Sequence, residues 1–208
     1  MIFNFKNKNF KRGTTLVELI VAIAIIAIFS VIVIANFPRI KKQFSLSRAT
    51  YKLAQDIRRA EDLGLSGSQA VDGLEAKGYG FYVDDKMNNK EYLIYADTND
   101  PADSRYTYYG DDVDYIIETI DFVDTEPGVF IERMYIINSV GAEFDITLLS
   151  INFSPPNPDI TIVTDAENIY YGEDVSNIKK VGIVLSLDTD QYSKRTIFIN
   201  SSGLIEIE

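Results

Sequence analysis

Glu18 is a carboxylate at the edge of an apolar run, Leu19 to Ala35, in which Ser30 is the single polar residue. A charge in such a place is costly, so it marks a functional position by default. It closely follows Lys11-Arg12-Gly13-Thr14-Thr15. A second concentration of chemistry lies at Asp97, Asn99, Asp100, Asp103, Asp111, Asp112 and Asp114, opposed only by Arg105. Carboxylates with a side-chain amide suit Ca²⁺, which takes about six to eight oxygens in flexible loops. Asp97, Asn99, Asp100 and Asp103 are the candidate ligands and Ca²⁺ the candidate cofactor. The spacing does not match an EF-hand loop, because Pro101 occupies a ligand position and the turn glycine is missing. A solvated acidic loop is the competing reading. Ser176-Asn177-Ile178-Lys179 fits Ser-x-x-Lys, a nucleophile one helical turn from a base. Its companion motifs are missing, and it precedes a strand-like run. Asn152-Phe153-Ser154 and Asn200-Ser201-Ser202 fit the glycosylation pattern.

The absences narrow the chemistry further. The 208 residues include no Cys and no His. Disulfides, thiolate metal sites, cysteine nucleophiles and every Ser-His-Asp triad are excluded. With thirty-one acids a chance carboxylate pair is near certain, so glycosidase chemistry gains no support from such a pair. No catalytic residue is assigned, and the chain is not expected to be an enzyme. The net charge of −11 repels phosphate, so no nucleic-acid partner is expected.

The elements that position Glu18 come next. Lys6, Lys8, Lys11 and Arg12 precede it without an acid. The seventeen apolar-run residues would span about 25 Å as a helix, close to the roughly 30 Å hydrocarbon core, and Leu16 and Val17 lengthen it. The basic side should stay cytoplasmic. A secretory signal peptide cut after Val33-Ile34-Ala35 is one reading, and a plain signal anchor is another. Neither accounts for Glu18. Beyond Arg39, the spacing of Leu46, Ala49, Leu53, Ile57, Ala60 and Gly64 predicts an amphipathic helix to about Leu63. Arg48, Lys52, Gln55, Asp56, Arg59 and Asp62 are expected largely off that stripe. Gly64 and Ser66-Gly67-Ser68 end the helix.

From Gly78 the pattern turns to strands. They are expected at 78–83, 91–96, 115–122, 129–138, 143–153, 159–163, 180–187, 193–200 and 204–207. The last two read as a hairpin closed by Ser201-Ser202-Gly203. The class is α+β, a long N-terminal membrane-spanning helix that continues into an amphipathic helix packed on a β-rich antiparallel head.

Lys11 to Ile20, Lys-Arg-Gly-Thr-Thr-Leu-Val-Glu-Leu-Ile, resembles the type III signal of type IV prepilins and type II secretion pseudopilins. The resemblance implies that prepilin peptidase cuts after Gly13 and that Thr14 becomes an N-methylated first residue. Glu18 is then the fifth residue, where this family usually has Glu. It implies a pilin fold whose apolar helix packs in a filament, with Glu18 neutralising the Thr14 amino group of a neighbouring subunit and setting register. Thr14 departs from the family's usual Phe or Met. Ala35-Asn36-Phe37 departs from its Pro-Asn-Phe, which moves the expected helix kink to Pro38.

The implied organisation is a leader at 1–13, a transmembrane and filament-core helix at 14–37, an amphipathic helix at 38–65 and a β-rich head at 66–208. Loss of the leader removes four of the twenty basic residues and none of the acids, leaving −15.

Implied partners are prepilin peptidase, other pilin or pseudopilin subunits, an inner-membrane assembly platform, and membrane lipid before assembly. The implied location is the cytoplasmic membrane, single-pass with the basic N-terminus inside, and then an extracytoplasmic filament. The final hairpin, Lys194 to Ile207, and the Leu53 to Ala60 stretch are similar to the GspH/FimT group of minor pseudopilins, and the chain's length tilts the same way. The expected function is a pilin-like structural subunit of a type II secretion pseudopilus or type IV pilus. The alternative is a filament-tip or membrane-anchored binding module for secreted cargo, a glycan or, last of these, DNA.

Overall fold

The computed structural model describes residues 14–66, 76–87, 89–98, 114–155, 159–165 and 178–208. The chain divides into two compact units, Met1–Lys41 and Lys42–Glu208.

Helix α1, Leu16–Leu65, runs through both. In the first unit its side chains, such as Leu16, Phe29 and Ile34, are exposed. Ala, Ile and Val dominate here, and an isolated helix of these residues has no core to face. It is the helix among the described residues that is long and apolar enough to cross a membrane. Two of its polar side chains bond back to the helix backbone. Ser30 Oγ donates to Ile26 O at 2.8 Å and Asn36 Nδ2 to Ile32 O at 2.8 Å. Residues on both sides of Pro38 are helical.

In the second unit the expected stripe is the buried one. Leu46, Ala49, Leu53, Ile57, Ala60 and Gly64 are all buried. Gly64 is required by proximity: a Cβ there would lie 2.5 Å from the Phe153 carbonyl oxygen. Asp56 departs from expectation. It is buried, because Tyr92 Oη donates to it at 2.6 Å and Lys52 Nζ lies 3.0 Å away.

Among the described residues ten strands follow, as two five-stranded sheets of antiparallel pairs. The first takes the order β3-β2-β1-β6-β7. Its strands are β1 Gly78–Asp84, β2 Glu91–Asp97, β3 Tyr115–Asp121, β6 Leu148–Ser154 and β7 Asp159–Thr164. The second takes the order β10-β9-β8-β4-β5. Its strands are β4 Val129–Asn138, β5 Glu143–Ile146, β8 Ile178–Leu187, β9 Asp190–Asn200 and β10 Ile205–Ile207. A short helix, α2 Phe122–Thr125, joins β3 towards β4, with Asp121 capping it through Val123 N. One continuous core takes Leu53 and Ile57 of α1, Phe81, Tyr92 and Ile151 of the first sheet, and Ile183, Leu185 and Ile197 of the second.

The single strand expected at 143–153 is two. The chain leaves one sheet and enters the other at Thr147. Asp165 holds that corner by accepting from Thr147 N at 2.8 Å, Leu148 N at 3.1 Å and the Thr147 hydroxyl. Burial alone would raise the Asp165 carboxyl, but these donors outweigh it and hold it below the usual range. The expected C-terminal hairpin is present. Asn200 Oδ1 accepts from Ser202 N and Leu204 N, and Gly203 sits at φ +83°, a conformation that favours glycine.

Candidate assembly site at the start of the first helix

Thr15 begins α1. Its carbonyl accepts from Leu19 N at 3.1 Å, and its hydroxyl accepts from Glu18 N at 3.3 Å. Thr15 is thus the N-cap and Glu18 the third helical residue, the positions of a capping box. A carboxylate there also faces the positive end of the helix macrodipole. The Thr-x-x-Glu spacing is the local sequence signal that could have found this helix start. Thr14 and Glu18 are both exposed, and the run that follows them is exposed too. The site is a carboxylate one turn into an unpartnered apolar helix, next to the position where a new amino terminus would form. Gly13 and the rest of the leader lie outside the described residues.

The other sequence candidates do not converge with it. Asp97 closes β2 and is 2% exposed. Asn99, Asp100 and Asp103 lie outside the described residues, as do Asp111 and Asp112. Among the described residues no group of three acids is placed to hold a metal ion. Lys179 is in β8, while Ser176 lies outside the described residues.

The second unit grips its own stretch of α1 through polar contacts that the sequence did not reveal. Arg48 makes two hydrogen bonds to Glu126, at 2.7 and 2.9 Å, and Ser45 Oγ donates to the same carboxylate at 2.5 Å. These donors hold the Glu126 carboxyl below its usual range, with burial opposing. Lys42 Nζ donates to Thr189 Oγ1 at 2.6 Å, and Arg59 pairs with Glu118 at 2.5 Å. Burial, reinforced by the Asp56 carboxylate, pushes the Tyr92 hydroxyl far above its ordinary value, so it stays a donor.

A family model described as the prokaryotic N-terminal methylation motif matches residues 8–34. That span contains Gly13, Thr14, Glu18 and nearly all of the apolar run. Searches of curated proteins and of solved structures found no match. The N-terminus therefore carries a type IV prepilin-like signal, which supports a pilin- or pseudopilin-like subunit. That signal implies processing by prepilin peptidase and assembly with other pilin-like subunits. With the long apolar helix, it fits a single-pass, membrane-anchored protein.

Proposed function

We propose that the chain is a non-enzymatic pilin-like structural subunit, a minor one of GspH/FimT type, built into a type II secretion pseudopilus or type IV pilus through its N-terminal helix. The methylation motif in register with an exposed apolar helix carries this reading. The chemistry is assembly. Before assembly, lipid covers the apolar face of residues 16–37, with the basic N-terminus on the cytoplasmic side. An inner-membrane platform moves the subunit into a filament, where neighbouring helices replace lipid. The Thr14 α-amino group is then a cation among apolar helices, and an unpaired buried charge is very costly. Glu18 of a neighbour supplies the partner, and the pair fixes axial register as a buried polar residue does in a coiled coil.

Intact mass and N-terminal sequencing of the protein from native membranes or sheared filaments test this. A chain starting at methylated Thr14 is the expected result. A chain starting at Asn36 would mean removal of an ordinary signal peptide and would end the pilin reading.

A further inference from the structure

Helix α1 begins at Leu16, and Thr14 and Thr15 lie outside it. Its neighbours do not dictate that start. Lys11 and Arg12, farther upstream, are good helix formers. Gly13 weakens a helix without ending it. Thr15 stands at the edge of an apolar run, where an unpaired backbone N–H is expensive. That cost favours added turns towards the leader.

One side chain opposes such growth. A helix longer by one residue would pair Glu18 N with the Thr14 carbonyl, four residues back. A second added residue would pair Val17 N with the Gly13 carbonyl. Instead Glu18 N donates to Thr15 Oγ1 at 3.3 Å, while Leu19 N donates to Thr15 O at 3.1 Å. The hydroxyl therefore occupies the N–H that the first step of growth needs.

The Gly13 carbonyl is the one that leader removal attacks. Hydrolysis breaks the Gly13–Thr14 bond; the carbonyl carbon takes the hydroxyl of water and the Thr14 nitrogen takes its proton. An extended chain offers its N–H and C=O groups to a protein that binds it, whereas a helix has already paired them with one another. A helical Gly13 carbonyl would be bonded to Val17 N and walled in by its own turn.

We propose that Thr15 is a positioning residue for leader removal: by ending α1 it keeps the Gly13–Thr14 bond in the extended form that a peptidase takes. The proposal rests on the prepilin reading above and adds a requirement on Thr15 to it. The role belongs to the cap and not to recognition of the hydroxyl by the peptidase.

Alanine and glycine separate these two roles. Neither has a hydroxyl, and Thr15 is exposed, so neither removes a packed side chain. Glycine serves at an N-cap about as well as threonine; alanine caps poorly and is the best helix former. The full chain, Thr15→Ala and Thr15→Gly are each incubated in detergent with purified prepilin peptidase. Intact mass follows the loss of residues 1–13 and gives kcat/KM.

Expected are cleavage after Gly13 in all three, a rate for Thr15→Gly close to that of the parent chain, and slowing of Thr15→Ala by up to about fivefold, the effect of a typical cap. Cleavage of Thr15→Ala at the parent rate would overturn the proposal and leave the prepilin reading standing. Slowing of Thr15→Gly as large as that of Thr15→Ala would show that the peptidase reads the hydroxyl itself, and would overturn it too. A parent chain left uncut after Gly13 would remove both.

Discussion

At the residue scale, two carboxylates have distinct work. Glu18 completes the helix start by presenting its N–H to Thr15 Oγ1, and its side chain is exposed. A capping box is worth about 1 kcal/mol of helix stability, too little by itself to explain a charge held at the edge of a membrane-type segment. Glu18→Ala is expected to leave membrane insertion intact and to impair incorporation into filaments, read by fractionation of membranes and sheared filaments. Normal incorporation would remove the register role.

Glu126 is the other carboxylate. Hydrogen bonds from Arg48 and Ser45 lower its folded-state pKa from about 4.5, so the contact favours folding most while the group is ionised. That contribution is complete above about pH 4.5 and is lost as the pH falls through the lower folded value. Glu126→Gln is therefore expected to reduce stability at neutral pH, with the gap from the parent chain closing as the pH falls through the lowered folded-state value. Urea unfolding of the detergent-solubilised chain at several pH values checks this. A pH-independent gap would contradict it.

At the scale of elements, α1 and β6 meet without room to spare. In an exposed helix Ala is favoured over Gly by about 1 kcal/mol. At Gly64 the added Cβ would stand 2.5 Å from the Phe153 carbonyl and 2.8 Å from Phe153 Cβ. Backbone cannot yield as a flexible side chain does, so overpacking wins. Gly64→Ala is expected to destabilise the chain by about 1–3 kcal/mol, read from the shift in denaturation midpoint. An unchanged or raised midpoint would show that the helix end moves freely over the sheet. The strands were largely legible as elements, because alternation and turn residues are local. Val129–Asn138 was read at its observed bounds. The break at Thr147 was not, since Asp165 imposes it from eighteen residues away, a distance at which local patterning is silent.

At the scale of the whole molecule, the leader and the helix make one testable unit. Gly13→Val is expected to block leader removal and leave an unprocessed, membrane-inserted chain, visible as the retained mass of residues 1–13 and as absence from filaments. Processing at the normal site would show that the cut does not depend on Gly13.

The charge asymmetry also acts at this scale. With the proposed leader removed the side-chain charge would be −15, which disfavours phosphate backbones. A gel shift at low salt is expected to show no DNA retention.

The sequence by itself determined the signal, the apolar helix, the buried stripe from Leu46 to Gly64, the β-rich head and the closing hairpin. Each depends on residues within a turn or a strand of one another, where chain geometry dictates who are neighbours. Only the tertiary structure decided the order of strands in two sheets, the corner at Thr147, the burial of Asp56 and the grip of Arg48 and Ser45 on Glu126. Asp56 shows the reason most plainly. Its helical position gave no sign of burial, and it can be buried as a carboxylate only because Tyr92, thirty-six residues away, and Lys52 supply donors there. The physical cause is that burial of a charge depends on partners brought together by packing.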